Sequence, residues 1–222
     1  MGGLLSLVLI PSSLGLALLL AILPVLGVAP NSPPLPNPQP QPVLPITTAP
    51  SLAEQFTPTV RYWSADIHQW SNEYRLPTSW IAVVMQIESC GHPRIFSRAG
   101  AAGLFQVMPF HFLPGEDPLS VPINAARGLA YLARAFELSG GDSAATLAGY
   151  NGGHGMIGRP MVEWPAETRR YVHWGTGILD DLAASRMPSP TLTEWLASGG
   201  SRLCQIAEQE LGVFADTAQP IS

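Results

Sequence analysis

Glu88 closes the apolar run SWIAVVMQIES, and Ile81, Val84 and Met85 lie seven, four and three residues before it, so on a helix the four share one face. A carboxylate placed there loses hydration when it ionises. The spacing therefore predicts a raised pKa, to which the negative end of the helix dipole would add. A carboxyl that keeps its proton near neutrality is what the general acid of glycosidic-bond cleavage requires. Arg94 and Arg98 stand close enough downstream to oppose both effects, and a core carboxylate paired with arginine is the competing reading. The neighbourhood favours chemistry. Gly100 and Gly103 allow backbone to lie close to another surface, and Ser97, Gln106 and Asn151 are polar groups suited to the hydroxyls and amides of a saccharide bearing N-acetyl groups.

Helical periodicity must position these residues. Val60, Trp63, Ile67, Trp70 and Tyr74 predict one amphipathic helix ended by Leu76 and Pro77. A second runs from Pro77 or Thr78 to Ser89, carries Glu88 on its last turn and is stopped by Gly91 and Pro93. After the Gly-rich loop SRAGAAGLFQVMP, the residues Ile123, Ala126, Leu129, Ala130, Leu132 and Ala133 predict a long helix through Leu138, closed by Gly140 and Gly141. Asp142 is the expected N-cap of a shorter helix ending in GYNGG, and Pro165 the expected first residue of the next, PAETRRYVHWGTGILDDLAAS. Beyond Pro188 a connector and one or two short helices are expected, clearest over residues 202–211. No run alternates as a strand for more than a few residues, so a short hairpin within residues 100–107 is the most that is expected. The fold class is mainly α.

Composition sets the organisation. The first charged residue of the 222 is Glu54, and residues 3–29 are uncharged and long enough to cross a bilayer core of roughly 30 Å. No Lys or Arg precedes that run, which favours an uncleaved membrane anchor over a cleaved signal peptide. Residues 30–50 hold nine prolines and no charge, an extended spacer in preference to a ligand for a proline-recognition module. The expected divisions are thus a membrane segment over 1–29, a Pro-rich linker over 30–53, a helical domain over 54–187 and a C-terminal extension over 188–222. All 11 basic residues are Arg against 16 acidic ones, giving a net charge of -5, and no basic patch speaks for nucleic acid. Cys90 and Cys204 have no metal-ligand spacing; an exported domain could join them in a disulfide, the alternative being two separate buried thiols.

Five stretches, IES with Pro93, SRAGAAGLFQVMP, NAARGLAYL, LAGYNGG and ETRRYV, resemble in order the motifs of the lytic transglycosylase catalytic domain. That is the lysozyme-like fold of the soluble lytic transglycosylase and goose-type lysozyme group, and the resemblance covers about residues 59–182. It implies a lysozyme-like helical domain whose one catalytic carboxyl is Glu88, acting on peptidoglycan glycan strands without metal or organic cofactor. In that family the acid protonates the oxygen between N-acetylmuramic acid and N-acetylglucosamine, the 2-acetamido group assists, and the carboxylate then deprotonates the C6 hydroxyl to leave a 1,6-anhydromuramoyl end. By the same resemblance Ser97 and Gln106 contact the saccharide, Met108 lines the cleft, Tyr150 places a hydroxyl near the catalytic centre, Asn151 follows it, and Glu167 and Tyr171 support the cleft. Met108 and Tyr171 read equally as core residues, and Glu167 as a carboxylate favoured at a helix start. Departures are Cys90 and Gly91, where the family often has Gly and an aromatic, and Phe105 in place of the commoner Met.

A hydrolytic muramidase is the nearest alternative; it normally needs a second carboxylate, for which Glu116, Asp117 and Glu163 are available. A non-catalytic wall-binding domain is the other. His92 and His154 read as polar loop residues, and GYNGGHG lacks the Lys of a phosphate loop. A peptidoglycan substrate places the domain outside the cytoplasmic membrane, in the cell envelope, as a monomer tethered through its N-terminal segment. A bridge from Cys90 to Cys204 would brace the end of the catalytic helix against the tail.

Overall fold

The computed structural model describes Leu52 and residues 54–214. The expected membrane segment, nearly all of the Pro-rich linker and the last residues of the tail lie outside the described residues. Among the described residues no helix is long and apolar enough to cross a membrane.

Those residues form α1 (Pro58–Arg61), α2 (Ser64–Tyr74), α3 (Thr78–Ser89), α4 (Val121–Leu138), α5 (Ser143–Gly152), α6 (Ala166–Ala183), α7 (Pro190–Trp195) and α8 (Ser201–Leu211). The fold is mainly helical, and in place of a hairpin only two isolated bridges form, Phe96 with Ala102 and Ala102 with Val107. At its centre α3 has residues 80–86 all buried. The β-branched pair Val83 and Val84 is a weak helix former, so burial on all sides rather than propensity holds this helix. Only Ile87 and Glu88 come partly to the surface before the helix ends. The stop is made one residue earlier than Gly91, by Cys90 in a left-handed conformation (φ 51°).

The helix expected across Val60 and Tyr74 is two helices. Its apolar face is buried at Val60, Trp63, Ile67 and Trp70, but Trp63 is not helical. The Trp63 indole donates to the Gly91 carbonyl (2.9 Å), which fixes the break against the turn after α3. Asp142 caps α5 as expected, accepting from the Ala145 amide at 2.7 Å. Pro165 occupies the cap position of α6 rather than its first turn.

The C-terminal extension packs onto the domain, α7 on α6, and α8 on α1 and α3. Three devices hold it. Cys90 and Cys204 form a disulfide across 114 residues. Buried Gln86 donates to both of these sulfurs and accepts from the Thr57 amide and hydroxyl, joining α1, α3 and α8. Asp181 accepts from Arg186 (2.6 Å), the Ser189 hydroxyl (2.6 Å) and the Thr191 amide (2.9 Å), which fastens the start of α7 to the end of α6.

Burial pushes the Asp181 carboxyl up, but the bonds from Ser189, Thr191 and Arg186 outweigh it and hold the group well below the usual carboxylate range. Its contribution is present above the unfolded pKa near 4 and is lost as pH falls below it. Asp181→Asn is expected to cost about 2 kcal/mol at pH 7, with the difference from wild type shrinking below about pH 4. Urea unfolding at both pH values reads this.

Candidate active site

Glu88 emerges from the last turn of α3 at the seam of two hollows. The first, about 220 Å³, is lined by Glu88 with Ser97, Gln106, Met108, Tyr150, Asn151 and Glu167, together with His111, Arg127 and Tyr131. The second, about 550 Å³, shares Glu88, Asn151 and Glu167 and adds Ile87, Arg170, Tyr171, Trp174, Trp195 and Ser198. The seven other residues singled out as a site in the sequence therefore surround the Glu88 carboxyl, with Tyr171 on the second side.

Glu88 is half-buried and lines both hollows. Burial raises its pKa most, the Tyr171 hydroxyl lowers it, and the charge of Glu167 raises it, with a net value of about 8. Neither Arg94 nor Arg98 opposes the shift: Arg94 lies 3.8 Å from Glu210, and Arg98 is exposed. Glu167 and Tyr171 sit one turn apart on α6 and so present one face to Glu88. The Tyr171 hydroxyl is buried without a well-formed hydrogen bond of its own, and burial followed by the charge of Glu88 pushes its pKa well above the ordinary tyrosine value. It stays a neutral donor beside the carboxyl.

The wall opposite α3 is built by the loop that follows it. Tyr150 donates to the Phe105 carbonyl at 2.7 Å, tying the end of α5 to this loop. Gln106 takes a positive φ of 45°, uncommon for a residue other than glycine, and its side-chain amide donates to the carbonyls of Ile95 (3.2 Å) and Gly103 (3.0 Å). Two carbonyl acceptors fix which end of the amide is nitrogen, so Oε1 is the atom left for a ligand. The Ser97 hydroxyl accepts from the Ala101 amide (3.0 Å) at the mouth, and Asn151 is oriented by the Thr168 hydroxyl (2.9 Å). Met108 is half-buried in the wall.

Asn124 holds this loop without touching the cleft. Fully enclosed on α4, it accepts from the Phe105 amide (3.0 Å) and donates to the carbonyls of Ala102 (2.7 Å) and Pro118 (3.0 Å). Space is made by glycines: a Cβ on Gly103 (φ 71°) would stand 2.5 Å from the Asn124 amide, and one on Gly128 would stand 2.5 Å from the Phe105 Cβ. Asn124→Ala is expected to destabilise by about 3 kcal/mol and to lower kcat/KM about tenfold by letting the wall shift. Thermal unfolding and steady-state kinetics on one preparation check both.

Sequence reading missed Arg127, Tyr131 and His111 in the lining. The first two follow Asn124 at three and seven residues along α4, a helical spacing that could have found them. His111 packs at a tilt of 51° against Tyr131 (4.6 Å), which stacks on His154 (4.0 Å); no local pattern signals that ladder. His92 is buried, with Nδ1 accepting from the Arg94 amide. Of the other carboxylates weighed, Glu116 is engaged by Arg127, and Asp117 and Glu163 are exposed, so the second carboxylate of the cleft is Glu167. Among the described residues no three His, Cys, Asp or Glu side chains cluster as a metal site.

The family described as Transglycosylase SLT domain matches residues 66–170. A transglycosylase of Enterobacteria phage PRD1 is 33% identical over 114 residues, which are 49% of this chain and 40% of the phage protein. Among solved structures, an inactive mutant of the lytic transglycosylase Slt from Pseudomonas aeruginosa is 22% identical with a TM-score of 0.45, covering 57% of this chain and 25% of that one. The 70 kDa soluble lytic transglycosylase from Escherichia coli is 22% identical with a TM-score of 0.37, covering 66% and 24%. The chain thus spans well under half the length of these relatives.

Proposed function

We propose, from the match of residues 66–170 to the family described as Transglycosylase SLT domain, that the protein is a peptidoglycan lytic transglycosylase in which Glu88 is general acid and then general base. The observation that carries the reading is the Glu88 carboxyl, set in a cleft with its pKa pushed up to about 8. At neutral pH it holds the proton that the glycosidic oxygen between N-acetylmuramic acid and N-acetylglucosamine must receive. When the bond breaks, positive charge develops at C1 and the substrate's 2-acetamido oxygen closes on it. Glu88 is then a carboxylate with a strongly basic character for its type. The neighbouring Tyr171 hydroxyl steadies that anion, and Glu167 makes it readier to take a proton back. The C6 hydroxyl gives up that proton and its oxygen attacks C1, breaking the bond from C1 to the acetamido oxygen, which gives a 1,6-anhydromuramoyl end and restores the acid.

Glu167 also favours a second reading. A carboxylate in the same cleft could activate water, and the domain would then be a hydrolytic muramidase. Mass spectrometry of products released from peptidoglycan by the full chain separates the two, since hydrolysis adds one water and the anhydro route adds none. Products bearing the added water would replace the first reading with the second, and no cleavage at all would leave a wall-binding domain.

A peptidoglycan substrate puts the domain outside the cytoplasmic membrane, held by residues 1–29 with the Pro-rich stretch as a spacer and acting as a monomer. The Cys90–Cys204 disulfide supports an oxidising compartment. Protease added to intact cells should remove the domain; full protection until lysis of the cytoplasmic membrane would place it inside.

A further inference from the structure

The second hollow is walled in part by residues outside the region that matches the family. Tyr171, Trp174, Trp195 and Ser198 lie beyond residue 170. Trp195 ends α7, and Ser198 stands in the π-helical turn Leu196–Gly200 that leads to α8. The Asp181 bonds and the disulfide hold these elements in place. At about 550 Å³ the hollow falls within the size range of small-ligand sites, and it opens directly from Glu88.

Its chemistry is aromatic and cationic. Trp174 is half-buried on α6, and Arg170, four residues earlier and therefore on the same face, is exposed with no ion-pair partner among the described residues. The two also line a further hollow of about 390 Å³ with Ala166, Arg169, His173 and Glu194. There the cations are engaged: Arg169 donates to the Trp164 carbonyl, and His173 lies 3.3 Å from Glu194. Arg170 is thus the free guanidinium on the rib between the two spaces. The chain as a whole carries a net charge of -5 and repels anions. An unpaired Arg in the cleft is where an anionic group gains rather than loses by binding. Glu167, at the seam with Glu88, discourages an anion there and leaves it to Arg170.

Resting on the peptidoglycan reading above, we infer that this trough receives a sugar ring next to the scissile bond together with the acidic peptide that the strand carries, Trp174 meeting the ring and Arg170 a peptide carboxylate. This face of α6, walled by Trp195 and Ser198 of the C-terminal extension, then makes the enzyme selective for peptide-bearing strands. A guanidinium meets a carboxylate through two parallel hydrogen bonds, which a neutral amide cannot reproduce.

The test compares the full chain with Arg170→Gln on glycan strands carrying their peptides and on the same strands stripped of peptide by an amidase. The ratio of kcat/KM between the two substrates is expected to fall about tenfold in the variant, mainly through KM, and the effect should fade at high salt. An unchanged ratio would overturn the inference. Arg170 is exposed, and thermal unfolding confirms that the variant is folded. Should wild type release no anhydromuramoyl ends, the functional reading fails by itself. Binding of a peptide-bearing disaccharide against the bare disaccharide then decides the trough: preference lost in Arg170→Gln supports it, and preference unchanged or absent in wild type overturns it.

Discussion

Glu88→Gln is expected to lower kcat on peptidoglycan about a thousandfold while leaving strand binding close to wild type. The amide has the size of the acid and can still donate to the glycosidic oxygen, but it cannot release a proton to it or take one from the C6 hydroxyl. Both half-reactions are impaired together, so anhydro and hydrolysed products should fall in parallel. Wild-type activity should hold across the acidic side and decline as pH rises through about 8, where Glu88 ionises before meeting substrate. An alkaline limb centred near pH 5, or a Gln variant within tenfold of wild type, would sink the assignment.

The same substitution has a stability signature of opposite sign. Glu88 titrates near its ordinary value in the unfolded chain and at about 8 in the folded one. Between those values the native state holds a proton that the unfolded state has released, so stability falls as pH rises. The contribution of Glu88 is complete below about pH 4.5 and gone above about 8. Glu88→Gln removes this slope, and its melting temperature should exceed that of wild type by more at pH 8 than at pH 5. On the proposed reading, an acid kept uncomfortable by its surroundings serves chemistry at the expense of stability.

Much of this was legible from spacing, because helices write their faces into sequence. The face of α3 that ends in Glu88, the Asp142 cap and the end of α4 before Gly140 are local features, and local rules found them. The break at Trp63 was not, since its cause is an indole bonded to Gly91, 28 residues away. At the site, ordered motifs gave the residue set through a family resemblance. Which residue does what depended on distance. Gln106 spends its amide nitrogen on its own loop, Glu167 rather than Glu116 is the second carboxylate of the cleft, and Arg94 turns toward Glu210. Nothing in the sequence announced that Trp195 and Ser198, more than a hundred residues past Glu88, wall the cleft.

Replacing both Cys90 and Cys204 by alanine should cost about 4 kcal/mol of stability and roughly 10 °C in melting temperature. The closed loop is 114 residues long, and in the chain-entropy view a long loop restricts the unfolded chain most. All of the lining but Ile87 and Glu88 falls inside it. Those two stand three and two residues before Cys90, so the bridge ties the helix end bearing Glu88 to the extension that walls the second hollow. Loss of the bridge should therefore reach function well below the melting point. With α8 released, Trp195 and Ser198 are free to drift, and kcat/KM on peptide-bearing strands should drop further than on stripped ones. The sulfurs are buried, so mild reductant acting on the folded wild type should do little, and the double variant is the informative comparison. A melting temperature within about 2 °C of wild type would mean that Gln86, Asp181 and the packing of α8 on α1 hold the extension without help. Equal losses on the two substrates would mean that the bridge serves the helix end alone and not the trough.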